Sequence, residues 1–435
     1  MVEKKGRDFF MRILWLCNIM LPIIAESLGK EASNKEGWLT GLSDKLLKQS
    51  EQEDITLGVC FPVEKDSTPI RGTVGGLQYF GFPEDTAKPE NYDANLEEYL
   101  SEIAEDFKPD VIHVFGTEFP HTLAMTRCVK EKEKLLLGIQ GVCFAIAEAY
   151  MADLPAKIQN RSLFRDFVKQ DNIRQQQMKF EKRGEMEQES LRNALHVTGR
   201  TDWDKEKVLS VNPNLTYHFM NETLRAPFYE NRWQIQECEP YSIFLSQGNY
   251  PLKGLHYVLE ALPLICEKYP AAKLYVAGDK ITAYESIKEK IKIGSYGKYC
   301  LSLIRKYHLQ DKVVFLGKLN CEKMCGQYLK RHLFLSASSV ENSSNSLGEA
   351  MLLGMPVVSS EVGGIPSMIT HKKEGLLYPA GDLQALADAV CAMFEDEKSA
   401  VRYGELARER ALKTHDAEIN FSRLLEIYRE LAAGL

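Results

Sequence analysis

Between Tyr241 and Tyr378 the chain alternates short apolar runs, bounded by Gly or Asp, with longer stretches of helical spacing. The runs predict strands at Ser242–Ser246, Lys273–Ala277, Lys312–Gly317, Leu333–Ser336, Pro356–Ser359 and Gly375–Tyr378, with helices near 254–268, 284–307, 322–331 and 346–354 between them and one near 382–396 after the last. A strand that is apolar along its whole length is buried on both faces, and only a crossing helix returns the chain to start a parallel neighbour. This half of the chain is therefore expected to form a parallel sheet covered by helices on both sides.

The first half repeats the theme, with strands near 11–17, 55–61, 110–116, 134–139 and 195–199 and helices near 35–49, 95–107, 120–131 and 202–209. At 435 residues the chain exceeds what one core serves. The expected organisation is an α/β protein of two Rossmann-like domains: 1–216, a connection at 217–240 rich in polar residues around Pro227, a second domain at 241–398, and helices at 399–435 that cross back to the first. The insert from Arg71 to Phe82 reads as a hairpin or lid, and Gln159–Asn193 as a helical excursion from the first sheet.

Composition excludes several classes. A net charge of −7 with no long basic run argues against nucleic acid. The ten cysteines show no zinc-type pairing, and apolar neighbours around Cys17, Cys60, Cys143 and Cys391 suggest buried thiols in a reducing compartment, hence a cytoplasmic location. A basic stretch before the apolar run Ile13–Ala25 imitates a secretory signal, but Asn18 and Pro22 interrupt it and Met11–Asn18 reads as a buried first strand. No apolar run is long enough for a membrane-spanning helix.

The stretch richest in chemistry runs from Ser336 to Ser360. A strand ends, a loop of small polar residues follows, and a helix opens near Ser346, so first-turn N–H groups and the positive end of the helix dipole face the loop. That arrangement suits a diphosphate. Two carboxylates, Glu341 and Glu349, flank it, and ionised carboxylates accept strong hydrogen bonds from sugar hydroxyls. A plainer reading makes Glu349 an ordinary helix acid and 338–345 a turn.

The pattern Glu341…Glu349-Ala350-Met351…Gly354-Met355-Pro356-Val357-Val358, followed by Gly363-Gly364-Ile365-Pro366, resembles glycosyltransferase family 4, retaining enzymes of the GT-B fold, and within it the branch that builds capsular or exopolysaccharide units. The resemblance implies two Rossmann-like domains facing each other across a cleft, with a nucleotide-sugar donor in the second and the acceptor in the first. It implies that Glu341 contacts the donor hexose and Glu349 the ribose. Backbone amides around Ser344, Asn345, Ser346 and Leu347 would hold sugar and phosphates. Lys253, in Gly248-Asn249-Tyr250-Pro251-Leu252-Lys253-Gly254, would hold the diphosphate. Where relatives place an Arg a few residues earlier this chain has Gly248 and Asn249, so Arg200 is the candidate replacement cation.

In the first half the resemblance points to Gly37 and Trp38, where one of the usual paired glycines is replaced by Glu36, and to a His near the end of the third strand. Both His113 and His121 qualify. His121, beside Glu118, is preferred because a histidine inside an apolar strand is more often a core group. Gln140 ends the next strand. Asp202-Trp203-Asp204 could be mistaken for a metal-binding D-x-D, but Asp202 reads as a helix cap, and the resemblance implies no metal or other cofactor. The expected reaction moves a hexose, from a UDP-sugar by family frequency, to a glycan or lipid-linked acceptor; the latter would bring peripheral contact with the inner membrane face. The rival readings are a nucleotide-sugar epimerase and a non-catalytic nucleotide-sugar-binding protein. No G-x-G-x-x-G follows the first strand, which argues against a dinucleotide dehydrogenase.

Overall fold

The computed structural model describes residues 10–30, 37–50 and 54–434. Its contacts divide into two compact units: unit 1 is made of residues up to 144, 180–223 and 416 onward, and unit 2 of 145–179 and 224–415.

Unit 1 holds an eight-stranded sheet, β1 (Met11–Leu16), β2 (Ile55–Glu64), β3 (Ile70–Val74), β4 (Leu77–Glu84), β5 (Val111–Phe115), β6 (Leu135–Gly138), β7 (His196–Gly199) and β8 (Thr216–Phe219), in the order β3-β4-β2-β1-β5-β6-β7-β8. All neighbours are parallel except β3 and β4. The 71–82 insert is thus a hairpin whose second strand extends the sheet beside β2, and it is not a lid. β8 falls inside the stretch expected to be a connection. Its alternating side chains gave no uniform apolar run to read.

The helix Ala417–Ala432 packs into this unit's core through Phe421, Leu424, Leu425, Tyr428 and Leu431. Buried Trp15 donates its indole N–H to the Tyr428 hydroxyl at 2.9 Å, and the same hydroxyl is hydrogen-bonded to Nδ1 of His113 at 2.7 Å.

Unit 2 holds a six-stranded, wholly parallel sheet, β9 (Glu239–Leu245), β10 (Lys273–Val276), β11 (Val313–Phe315), β12 (Arg331–Ser336), β13 (Val357–Ser360) and β14 (Leu376–Tyr378), in the order β11-β10-β9-β12-β13-β14. This is the doubly wound order in which the sheet reverses direction between its first and fourth strands. Ligands bind at that point, outside the carboxyl ends of the strands, because the two flanking crossovers leave on opposite faces and open a crevice. Segment 145–179, read from sequence as part of the first half, makes its contacts in unit 2, and the helix Glu397–Thr414 also belongs to unit 2. Among the described residues no helix is long and apolar enough to cross a membrane.

Candidate active site

In unit 2 the reversal point lies between β9 and β12, and Lys253 and Glu341 follow those two strands. Chain topology alone therefore brings together residues 88 apart, and Lys253 Nζ pairs with Glu341 Oε1. The Ser338 hydroxyl donates to the same oxygen at 2.7 Å. Burial pushes the Lys253 pKa down, but Glu341 and then Tyr250 outweigh it, so the ammonium is held above its ordinary range and stays charged.

Two glycines fix this pair. Gly254, at φ 68°, closes the turn Pro251–Lys253, and a Cβ there would sit 1.8 Å from the Ala337 carbonyl oxygen. Ser339 N–H donates to the Leu252 carbonyl at 2.9 Å, tying the two loops together. Gly363, at φ 51°, leaves no room either: a Cβ would lie 1.9 Å from the Glu341 carbonyl oxygen, which also accepts from Gly364 N–H at 3.0 Å. The Gly363→Ala variant must displace the Glu341 loop. Its expected outcome is a fall in kcat of roughly 100-fold, because catalytic groups misplaced by about 1 Å lose that much. Steady-state kinetics on the folded variant checks it.

The helix Asn345–Leu353 opens directly after this loop. Ser344 is its cap, its hydroxyl accepting from Leu347 N–H at 3.4 Å, and Asn345 and Ser346 form the first turn. Leu347 has its side chain wholly in the core, so only its backbone can serve a ligand. Glu349 lies in the second turn and is 3 % exposed. Both of its oxygens are taken by Arg225, Nε to Oε1 at 2.6 Å and Nη2 to Oε2 at 2.7 Å. Burial raises the Glu349 pKa while Arg225 pulls it back. Sequence reasoning missed Arg225, which sits in the stretch read as a connection. The available signal was a glutamate inside the apolar run Leu347–Leu353, which demands a cation without saying which one.

Gly248 packs against Val276 and Leu255, where a Cβ would lie 3.0 Å and 3.2 Å from their side chains, so a larger residue requires those neighbours to shift. Asn249 lies against Gly278, its Oδ1 buried without a hydrogen-bond partner among the described residues. A cavity of about 470 Å³ opens beside it, lined among others by Arg165, Asn172, Tyr250, Lys280 and Ser295.

In unit 1 the direction reverses between β1 and β5, and Glu118 and His121 follow β5. His121 is fully buried, stacked on Phe119, with Nδ1 2.7 Å from Glu84 Oε2. Burial raises the Glu118 pKa, and it pushes the Glu187 carboxyl, which accepts from Thr117 Oγ1 at 2.5 Å, up to about 8. The folded chain thus keeps a proton on Glu187 that the unfolded chain releases above its ordinary 4.5. Stability therefore falls as pH rises from there to about 8, at no more than about 1.4 kcal/mol per pH unit. The urea midpoint is expected to drop between pH 6 and pH 8 in the wild type and to change much less in Glu187→Gln.

Several sequence expectations are corrected here. His113, given a place at the acceptor, is instead a core group inside β5, held by Tyr428, and burial lowers its pKa to about 3. Arg200 is not available as a replacement diphosphate cation: it is 7 % exposed and its guanidinium pairs with Glu222 at 2.7 Å. Gln140 donates to the other oxygen of Glu222 at 2.8 Å. The cap of the helix Asp202–Val211 is Thr201, one residue earlier than expected, and Asp204 accepts from Arg200 N–H and the Tyr217 hydroxyl. Among the described residues no group of His, Cys, Asp and Glu could hold a metal ion. Gly37 and Trp38 open the helix Gly37–Ser50; the Trp38 side chain and residues 31–36 lie outside the described residues.

The reversal point of the doubly wound sheet of unit 2 thus gathers a cation, a carboxylate and a helix start. Residues 227–410 match the family described as Glycosyl transferases group 1. Over 390 residues the chain is 24 % identical to the N-acetyl-alpha-D-glucosaminyl L-malate synthase of Bacillus anthracis, covering 87 % of this chain and 88 % of that protein. Among solved structures it is similar to a sucrose-phosphate synthase of Thermosynechococcus elongatus, with a TM-score of 0.69 at 15 % identity over 98 % of this chain and all of that one. It is also similar to Anabaena HepE in complex with UDP, with a TM-score of 0.63 at 14 % identity over 97 % and 100 %. The chain has the GT-B fold and is a glycosyltransferase.

Proposed function

We propose that the chain is a retaining transferase that moves a hexose from a UDP-sugar to a hydroxyl of a glycan or lipid-linked acceptor in polysaccharide assembly, without a metal. The observation that carries this reading is the Lys253–Glu341 pair at the reversal point of unit 2, beside the start of the helix Asn345–Leu353. An ammonium there neutralises a diphosphate as it leaves, and the carboxylate it now holds is released toward the sugar hydroxyls. The first-turn amides add partial positive charge where negative charge develops, so the protein supplies orientation and charge stabilisation. Glu349, held by Arg225, faces the ribose in this reading, and His121 and Glu118 belong to the acceptor side.

A panel of nucleotide sugars screened by thermal shift tests the donor, since a ligand present at 100 times its Kd stabilises the folded state by about 2.7 kcal/mol. UDP release that requires an added acceptor and persists in EDTA is the expected outcome. Conversion of the donor without any acceptor would instead indicate an epimerase, and binding of a nucleotide sugar with no turnover over any acceptor would indicate a binding protein.

A further inference from the structure

Of the eleven large hydrophobic side chains exposed among the described residues, five stand on two short helices of unit 2 that touch each other: Phe164, Phe167 and Val168 on Phe164–Lys169, and Ile287 and Ile291 on Ile287–Lys292. Single exposed apolar residues need no explanation, but a group of five does. Their spacings of three and four residues put each set on one side of its helix. Phe167 and Ile287 are 77 % and 78 % exposed.

These helices are firmly anchored. Buried Asp166 accepts from Ser295 N–H at 2.9 Å and from the Ser295 hydroxyl, joining the first helix to the residues just beyond the second. The second helix begins with a full capping box: the Ser286 hydroxyl accepts from Glu289 N–H, and the Glu289 carboxylate accepts from Ser286 N–H.

Charge identifies the occupant. Lys169, Lys288, Lys290 and Lys292 are exposed around the apolar stripes, on a chain whose net charge is −7. The two acidic residues of these helices are spent, Asp166 on Ser295 and Arg165, and Glu289 on its own cap. Lys298, Lys290 and Arg305 gather around the Tyr284 ring next to them, Lys298 Nζ at 3.2 Å from its centroid.

We propose that this face docks on an anionic lipid bilayer, with the five apolar side chains at the boundary of headgroups and acyl chains and the lysines among lipid phosphates. An apolar stripe on a partner protein would cover the Phe and Ile side chains but leave the ring of ammonium groups unmatched, whereas a bilayer surface satisfies both. The proposal goes beyond the transfer reaction and does not depend on it, because docking needs neither donor nor acceptor.

The test is co-sedimentation of the full chain with vesicles of phosphatidylglycerol and phosphatidylcholine, against vesicles of phosphatidylcholine alone. Binding to the anionic vesicles is expected, weakening steeply with salt. The triple variant Lys288→Gln, Lys290→Gln, Lys292→Gln is expected to bind roughly 100-fold more weakly. A second variant, Phe164→Ser, Phe167→Ser, Ile287→Ser, is expected to stay in the supernatant. All six positions are exposed, so both proteins should melt with the wild type. The proposal is overturned if wild type ignores anionic vesicles, or if both variants bind like wild type. It is equally overturned if the face proves to bind a second copy, seen as a dimer without lipid that Phe167→Ser dissociates while vesicle binding is absent.

Discussion

Lys253→Ala is expected to lower kcat by two to three decades, about 2.7–4 kcal/mol of lost transition-state stabilisation, in a protein that keeps its fold. The ammonium is mostly buried beside Glu341 and Tyr250, and although burial opposes its charge, those two partners keep it protonated at any working pH. A charge held in place before the reaction needs no reorganisation when negative charge builds on a leaving diphosphate, which makes its removal costly in rate. Its removal costs some stability, since the Glu341 side chain is only 13 % exposed, but that carboxylate is not left wholly alone. Glu341 would lose a cation but keep the Ser338 hydroxyl at 2.7 Å and the hold on its backbone by Gly364.

Glu341→Ala should fall by a similar factor. Lys253→Arg should recover part of the loss, since the charge survives while the point geometry does not. Turnover near wild type in a folded Lys253→Ala protein, measured at saturating donor, would sink the assignment.

The strand ends that build this site were legible because parallel strands buried on both faces leave uniform apolar runs; all six of unit 2 were placed within a few residues. The loops that carry Lys253 and Glu341 could be located for the same reason, as each begins where such a run ends. What escaped was set by partners distant in the chain. β8 is four residues long with only His218 buried, so it looks like a polar connection until β7 is seen beside it. Segment 145–179 carries no mark of the sheet it joins. Its anchors are single groups, His256 Nε2 to the Ala152 carbonyl at 2.8 Å and the Tyr257 hydroxyl to Asp153 at 2.8 Å, about a hundred residues away. The partners that hold His113 and Arg200, Tyr428 and Glu222, lie elsewhere in the chain and are invisible to local pattern.

Arg225→Ala is expected to destabilise unit 2 by about 3–5 kcal/mol, the usual cost of leaving one half of a buried ion pair alone. Glu349 is 3 % exposed and both its oxygens bond to Arg225, so the variant strands a carboxylate inside the apolar helix Asn345–Leu353. Burial already raises that carboxyl's pKa; without the guanidinium it rises further, and the residue answers by taking up a proton. The variant's stability should therefore improve as pH falls toward the raised pKa, because below it the buried group is neutral. The double variant Arg225→Met, Glu349→Leu should recover most of the loss, since well-packed apolar side chains replace a buried pair at little cost. Chemical denaturation of the wild type, the single variant and the double variant at pH 5 and pH 8 measures all three effects. If the pair also serves the ribose, Glu349→Gln, which keeps the shape and loses the charge, should raise the donor KM far more than it lowers kcat. A Glu349→Gln protein with unchanged donor KM would leave the pair a purely structural strut beneath the helix start.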